Sequence, residues 1–534
     1  MGRGSRFPYN VAAIRGMVGC RGAAQAVNKP SSLVSFPMSL RTLSLASVLT
    51  LALAGCATSR GLHPDGQLTD AHDLAVQRSL ADVQLTPAAW PARDWWTALG
   101  DPQLSALIDE ALQHNPGLAA ADALAKLAQA QVQGANAARG PDVALDAAIP
   151  GARFSSKDYT YPIEDLGTFA WAKSATLDFS WGLDLWGGKR AAWEAAVGRS
   201  HAAEIDAHAA RIQLSVNVAR AYIQLGYAFA QQDVADAELQ RTGKVLVLAK
   251  RYLAAGLGTP QQLHQADFAV ASAEQQKTQA ERAIDAMRSS LSVLLGQGPD
   301  RGLQIARPRL LTPVDLALPD NLPVDLIGRR ADLVAARWRV EAAGKAIKAA
   351  KTEFLPNISL GAMAGFVAVG GSSGLFQLPA RTYGITPALN LPIFDGGRRR
   401  ANLASTDAGY DLAVAQYNAT LVHAVNEVAD DYSALQSMGR QLAAEQRAQQ
   451  DARQAWNDAL KLYKGGLGSS LETLVARQQL LAADQRMAAL NSQQMDLSVR
   501  MIEALGGGYG AGAAPAPAAS GTTGASSANV SSGR

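Results

Sequence analysis

Apolar and polar positions alternate with a period of two in four short stretches, and follow a helical period through most of the remaining chain. In Thr176–Trp186, Leu177, Phe179, Trp181, Leu183 and Leu185 are apolar, whereas Thr176, Asp178, Ser180, Gly182 and Asp184 are small or polar. That alternation predicts a β-strand with one apolar and one wet face. Val143, Leu145, Ala147 and Ile149 alternate likewise with Asp142, Ala144, Asp146 and Ala148. Later come Ile358, Leu360, Ala362, Ala364 and Phe366, and then Tyr383, Ile385, Pro387, Leu389, Leu391 and Ile393.

The first helix is marked by Asp101-Pro102, an N-cap and first-turn pair, ahead of Leu104, Leu107, Ile108 and Leu112. From Gly188 to Gly256, and again from Gly397 to Gly465, there is no proline and little glycine. Each run predicts a helix of roughly 100 Å, a length that calls for coiled-coil-like packing. Both runs meet a Gly-Leu-Gly turn, Gly256–Gly258 and Gly466–Gly468. Thr259-Pro260-Gln261-Gln262 and Ser469-Ser470-Leu471-Glu472 then read as capping boxes. Each long helix therefore ends in a tight hairpin, and a shorter helix returns.

The pattern is duplicated. Leu118 in "NPGLAAADAL" aligns with Leu333 in "RADLVAARWRV", Pro141 with Pro356, "LWGGKR" from Leu185 with "FDGGRRR" from Phe394, and "GLGTPQQL" from Gly256 with "GLGSSLET" from Gly466. A spacing of about 210 residues is far too long for a solenoid and indicates one large unit copied once. The organisation expected is a first repeat over 99–300 and a second over 301–505. A Gly/Ala/Ser-rich tail over 506–534 is too poor in apolar residues to fold.

Alternation alone fits a soluble sheet as well as a membrane barrel. Trp171, Tyr159, Tyr161, Trp186 and Tyr383 near the strand ends suit interfacial girdles, and Asp142, Asp146, Asp178 and Asp184 suit a wet lumen. Four strands cannot close a barrel, and an open edge cannot sit in lipid with its N–H and C=O groups unpaired. Closure demands several chains, and three would supply twelve strands.

Composition narrows the function. The formal net charge of +3 provides no field for nucleic acid. No nucleophile elbow, phosphate loop or metal-ligand cluster occurs, so the expectation is a protein that is not an enzyme and holds no cofactor. His201 and His208 lie seven apart without a third ligand and read as solvated helix positions. Near the N-terminus, "MSLRTLSLASVLTLALAGC" from Met38 has a basic start and an apolar core too short to span a bilayer. It reads as an export signal over 38–55, with 1–37 an over-long upstream segment and 56–98 an extended N-terminal region. Leu53-Ala54-Gly55-Cys56 resembles a bacterial lipobox, which implies a covalent lipid on Cys56. The resemblance also favours the outer membrane, because Ala57 stands where inner-membrane lipoproteins commonly carry aspartate.

Several motifs in order, "DWWTALGDPQLSALIDEALQHNP" from Asp94, "WGLDLWGGKR" from Trp181, "LPDNLPVDLIGRRADLVAA" from Leu318, "LPIFDGGRRR" from Leu391, "YKGGLGSSLETLVARQQLL" from Tyr463 and "ALGGGY" from Ala504, resemble the TolC-like outer-membrane efflux channels, specifically their NodT-type lipoprotein branch. The resemblance implies a mainly α fold with a membrane β-barrel: a homotrimer whose twelve-stranded barrel stands on a periplasmic helical barrel. It implies an exit duct for a tripartite pump of the resistance-nodulation-division (RND) class, with a periplasmic adaptor docking at the hairpin turns Gly256, Gly258, Thr259, Gly466, Gly468 and Ser469. By position, Tyr463 and Glu472 would lie near the periplasmic aperture. Val475 and Gln262 stand where relatives often carry acids, so an acidic ring is absent there, and Glu472 also reads as a helix cap. Arg329, Arg330 and Asp332 match an "RRPD" block, with Ala331 replacing the proline, and read as structural salt links. Trp95-Trp96 reads as an anchor for the N-terminal segment. A type I protein-secretion channel and a lipid-anchored periplasmic coiled-coil scaffold remain alternative readings.

Overall fold

The computed structural model describes residues 59–71, 74, 90–153, 169–309, 311–313, 322–369 and 374–510. Cys56, the signal segment, Tyr159, Tyr161 and residues 511–534 of the tail lie outside them.

A 3₁₀ turn, Trp95–Leu99, leads into α1 (Pro102–His114) and α2 (Pro116–Ala137). Strands β1 (Asp142–Ala148), β2 (Gly151–Arg153) and β3 (Phe169–Gly182) precede the long helix α3 (Gly188–Ala254) and its return α4 (Pro260–Leu294). After the short α5 (Asp300–Leu303) come α6 (Leu322–Arg329), α7 (Ala331–Thr352), β4 (Asn357–Val369), β5 (Arg381–Asn390), the second long helix α8 (Arg398–Lys464) and its return α9 (Ser470–Ala504). Helices α3 and α8 each have 67 residues, and α4 and α9 each have 35.

The strands form one antiparallel sheet in the order β1-β3-β4-β5, with β2 also on β3. Five segments are hydrogen-bonded, not the four expected, but β1 and β2 are a single ribbon. Ala148 pairs with Ser174 and Gly151 with Trp171, which is one unbroken register. The interruption is Pro150, which has no N–H to offer the ladder, although its carbonyl still accepts from Ala172 N at 2.9 Å. The outer edges of β1 and β5 have no strand partner among the described residues.

Two strands end earlier than alternation suggests. β3 starts at Phe169 and stops at Gly182, and β5 stops at Asn390, so Leu185, Leu391 and Ile393 lie beyond them. The cause is helix capping. Asp184, expected on the wet strand face, accepts from the backbone N–H groups of Lys189 and Arg190 at 3.0 and 2.8 Å. Asp395 accepts in the same way from Gly397 and Arg399 at 3.0 and 3.1 Å. Satisfying the free N–H groups of a long helix outweighs one more strand pair.

The helical core gathers around α3. Leu104, Leu107 and Ile108 of α1, Val218, Tyr222 and Leu225 of α3, Leu291 of α4 and Val499 of α9 are buried together, and Trp95 and Trp96 join them as an edge-to-face pair 5.8 Å apart. The expected first helix is broken in two at Asn115. That side chain caps α2 by accepting from Gly117 N at 2.7 Å, and its amide donates to Leu294 O at 2.8 Å. The end of α4 thereby abuts the α1–α2 break. At the equivalent place in the second half, Arg330 donates to Ala504 O at 3.0 Å, so the end of α9 abuts the start of α7. Short helices are thus butted end to end alongside the long ones.

Candidate functional site: hairpin tips, helix joints and a two-faced sheet

At both hairpin tips the last turn of the long helix closes in one way. Leu257 N and Gly258 N both donate to Tyr252 O, and Leu467 N and Gly468 N both donate to Leu462 O, at 2.9–3.2 Å. Gly256 and Gly466 take φ of +71° and +73°, which only glycine adopts cheaply. Thr259 Oγ1 accepts from Gln262 N while Gln262 Oε1 accepts from Thr259 N, and Ser469 and Glu472 repeat the exchange at 3.1 and 2.9 Å. The Glu472 carboxylate is therefore engaged in a cap. Tyr463 sits on the last turn of α8 and is exposed. The structure brings Glu472 to Ser469 and shows no hydrogen bond between Glu472 and Tyr463. Val475 is exposed, and Leu257 and Leu467 at the turn apices are 79% and 82% exposed.

The joint between α9, α7 and α8 holds two of the buried charged side chains, Arg330 and Asp431. Arg330 Nη1 donates to Glu427 Oε2 at 2.8 Å, and its other nitrogens grip Asp332 at 2.8 and 3.1 Å. These partners keep the guanidinium charged in spite of a burial that opposes it. Nearby, Arg220 pairs bidentately with Asp496, and Arg500 with the buried Asp431. Burial pushes the Asp431 carboxyl above the usual range against the pull of Arg500. Glu503 is raised by burial and then by Glu427. Arg329 lies over the Trp90 ring at 4.7 Å. The RR-x-D block is expected to form salt links to Asp325 and neighbouring helices; Arg330 links to Asp332 and to Glu427 on α8, Arg329 stacks on Trp90, and the Asp325 side chain lies outside the described ones. Gly506 and Gly507, assigned to the tail on composition, form a buried turn against this joint. A Cβ on Gly506 would stand 2.1 Å from Arg329 O, so only glycine fits.

Reasoning from the sequence missed Glu427, Asp431, Asp496, Arg500 and Glu503. It also missed a buried chain in which Gln103 donates to Tyr222 Oη and Tyr222 donates to Asp101 Oδ2 at 2.7 Å. Burial, then Asp101, holds the Tyr222 hydroxyl well above its ordinary pKa. The available signal was charge inside otherwise apolar helical stripes.

The sheet register sorts side chains into two faces. On one lie Val143, Leu145, Leu177, Phe179, Leu360 and Ile385. On the other, Asp142 pairs with Ser180, Ala144 with Asp178 and Asp146 with Thr176, continued by Gly361, Gly365, Thr382 and Thr386. The apolar face is exposed in the single chain, at Leu145, Tyr383 and Ile385 most of all. Among the described residues no helix is long and apolar enough to cross a membrane, and no group of His, Cys, Asp or Glu could hold a metal ion. His201 lies beside the Trp338 ring at 4.7 Å.

A solvent-facing apolar sheet fused to helices of this length is an architecture found in solved outer-membrane proteins. The chain superposes on the outer membrane protein VceC of Vibrio cholerae with a TM-score of 0.71 and 36% identity, covering 79% of this chain and 100% of that one. The chain belongs to the outer membrane efflux protein family, whose profile matches residues 107–297 and 322–507. Among relatives, the multidrug resistance outer membrane protein MdtP of Escherichia coli K12 is 31% identical over 89% of this chain and 98% of its own length. The fusaric acid resistance protein FusA of Burkholderia cepacia is 37% identical over 70% and 71%. As a member of this family the protein is an outer-membrane efflux channel and not an enzyme.

Proposed function

We propose that three copies of this chain close a twelve-stranded barrel on a helical duct, and that the assembly is the passive outer-membrane exit of a tripartite RND-type efflux pump. The observation that carries this reading is the sheet with one exposed apolar face and two unpaired edges. In lipid each unpaired backbone group costs several kcal/mol, so β1 of one copy takes β5 of the next. The acidic and small-residue face then lines the water-filled lumen. The matching lengths of α3 with α8 and of α4 with α9 support the internal duplication, with repeats near 99–300 and 301–505. Relatives named for multidrug and fusaric acid resistance support small-molecule cargo over secreted protein.

The tips carry exposed Leu257 and Leu467 on rigid, doubly capped turns, which suits docking of a periplasmic adaptor at Gly256, Gly258, Thr259, Gly466, Gly468 and Ser469. Tyr463 is our candidate for the aperture, with Glu472 as cap and neighbour. Lipid on Cys56 is supported by the segment that follows it. Arg60 O accepts from Arg400 at the sheet-proximal end of α8, and Gly66 N and Thr69 N donate to Asp411 and Asn418 farther down. Four residues separate Arg60 from position 56, a reach of at most about 14 Å, which suits a lipid anchor at the membrane end.

The test is reconstitution. Purified full-length protein added to a planar bilayer produces discrete ion-conducting steps, and a strain lacking the gene becomes sensitive to pump substrates. A Cys56→Ala protein still partitions into the outer membrane and still requires detergent. A folded protein that neither inserts nor conducts refutes the reading.

A further inference from the structure

Where the sheet meets the helices, the ends of β3 and β5, the start of β4, the first turns of α3 and α8 and the last turn of α7 enclose an open cleft of ≈ 760 Å³. Its lining combines two chemistries. Lys189, Arg398 and Arg399 supply positive charge, while Leu183, Trp186 and Leu355 supply apolar wall. Trp186 is held in place by its indole N–H, which donates to Pro356 O at 2.7 Å, and its ring remains half exposed.

The carboxylates of the region are already occupied within the chain. Asp184 caps α3, Asp395 caps α8 and pairs with Arg399, and Glu353 accepts from Asn402 at 3.1 Å. The N–H groups at the starts of α3 and α8 are therefore already satisfied within the chain. The cations are less fully engaged. Lys189 Nζ donates to Gly182 O, leaving further N–H groups of a three-donor ammonium. The Arg398 side chain is exposed at the cleft, and Lys348 and Lys351, outside the lining itself, are exposed on the last two turns of α7.

We propose that this cleft binds an anionic glycerophospholipid of the periplasmic leaflet, its phosphodiester against Lys189 and Arg398 and its acyl chains against Trp186 and the apolar face of the sheet. This rests on the reading of the sheet as membrane-spanning. Gly182, Asn357 and Asn390, the last paired residues of their strands, all lie at this level. The cleft therefore opens where the apolar band gives way to charge, the depth of a leaflet's phosphates. Asp184, Glu353 and Asp395 match Lys189, Arg398 and Arg399 in number, so the positive surplus that a net-negative headgroup answers comes from the exposed Lys348 and Lys351 on α7, whereas a zwitterionic headgroup brings its own cation and gains less. Apolar wall beside cationic groups also discriminates a lipid from free phosphate, which has no use for Trp186. Basic pockets beside membrane spans are a recurrent means of holding acidic headgroups.

The experiment uses the full-length assembly in mixed bilayers of phosphatidylglycerol and phosphatidylcholine. Lipid retained after extraction is read by native mass spectrometry. The wild type retains phosphatidylglycerol at least five-fold over phosphatidylcholine, and a Lys189→Gln/Arg398→Gln double variant falls within two-fold of parity. Equal retention by the wild type, or unchanged preference in the double variant, overturns the proposal. A measurement independent of those substitutions uses brominated lipids. The part of the tryptophan quenching that a Trp186→Phe protein lacks is larger with brominated phosphatidylglycerol than with the brominated choline lipid; equal quenching also overturns it. Conductance recorded in the same bilayers separates the two claims. A wild type that conducts without lipid preference refutes only the cleft, and one that fails to insert refutes the membrane reading beneath it.

Discussion

Replacing Arg330 by methionine removes one guanidinium and strands three partners. The Arg330 side chain is 10% exposed, Glu427 25% and Asp332 43%. Asp332 is wet enough that its share of the penalty is below about 1 kcal/mol. The Ala504 carbonyl and Glu427 carry the larger part, because a half-broken buried pair costs roughly 3 kcal/mol. In a chain this long, about 1 °C of Tm accompanies each kcal/mol, so the drop at pH 8 is about 3 °C. The assay is thermal unfolding of the detergent-solubilised assembly, followed by circular dichroism at fixed protein concentration. The double variant Arg330→Met/Glu427→Gln provides the control, because losing both members of the pair costs less than the sum of the two single losses. Single-variant drops that simply add, or no drop for Arg330→Met alone, would refute the assignment of Arg330 as the charge that ties α9 to α7 and α8.

Glu503 tests the same joint with opposite sign. Its folded pKa is raised above 4.5, so its contribution is complete below that value and is lost as pH climbs through the raised one. A Glu503→Gln protein should melt above the wild type at pH 8 and with it at pH 4; a lower Tm at pH 8 counts against the burial argument. Ser469→Ala removes one half of a capping box at a cost of about 1 kcal/mol, visible as faster amide exchange in the first turn of α9. Glu472→Gln should leave single-channel conductance within two-fold, since the amide can still accept from Ser469 N; a larger change would move Glu472 from cap to aperture. Tyr222→Phe leaves Asp101 and Gln103 each short of a partner and should cost about 1–3 kcal/mol, with a Tm unchanged from wild type as the contrary result.

Much of this architecture was legible because its parts obey local rules. The 67-residue helices followed from proline-free runs bounded by glycine, and the tips from Thr259/Gln262 and Ser469/Glu472. Strand ends were not legible, because Asp184 carries the alternation into what becomes a helix cap, and Leu391 and Ile393 carry it past Asn390 toward the capping Asp395. Pro150 split a ribbon that alternation alone could not divide. Gly506 and Gly507 resembled the tail in composition, and only their close approach to Arg329 O and Ile212 distinguishes them. The joints were opaque for a different reason: Glu427, Asp431 and Glu503 are distant in sequence from Arg330, and long-range pairing of charge leaves no periodic trace. Tyr463 was legible as a tip residue, but a role at an aperture belongs to an assembly of several chains.

The number of chains in the native particle bears most directly on all of this. Native mass spectrometry of the purified protein, released from detergent, should record three copies. A cysteine placed on the free edge of β1 should then crosslink to one on the free edge of β5 of a neighbouring copy. A folded, water-soluble single chain, with no such crosslink under oxidising conditions, would contradict the account.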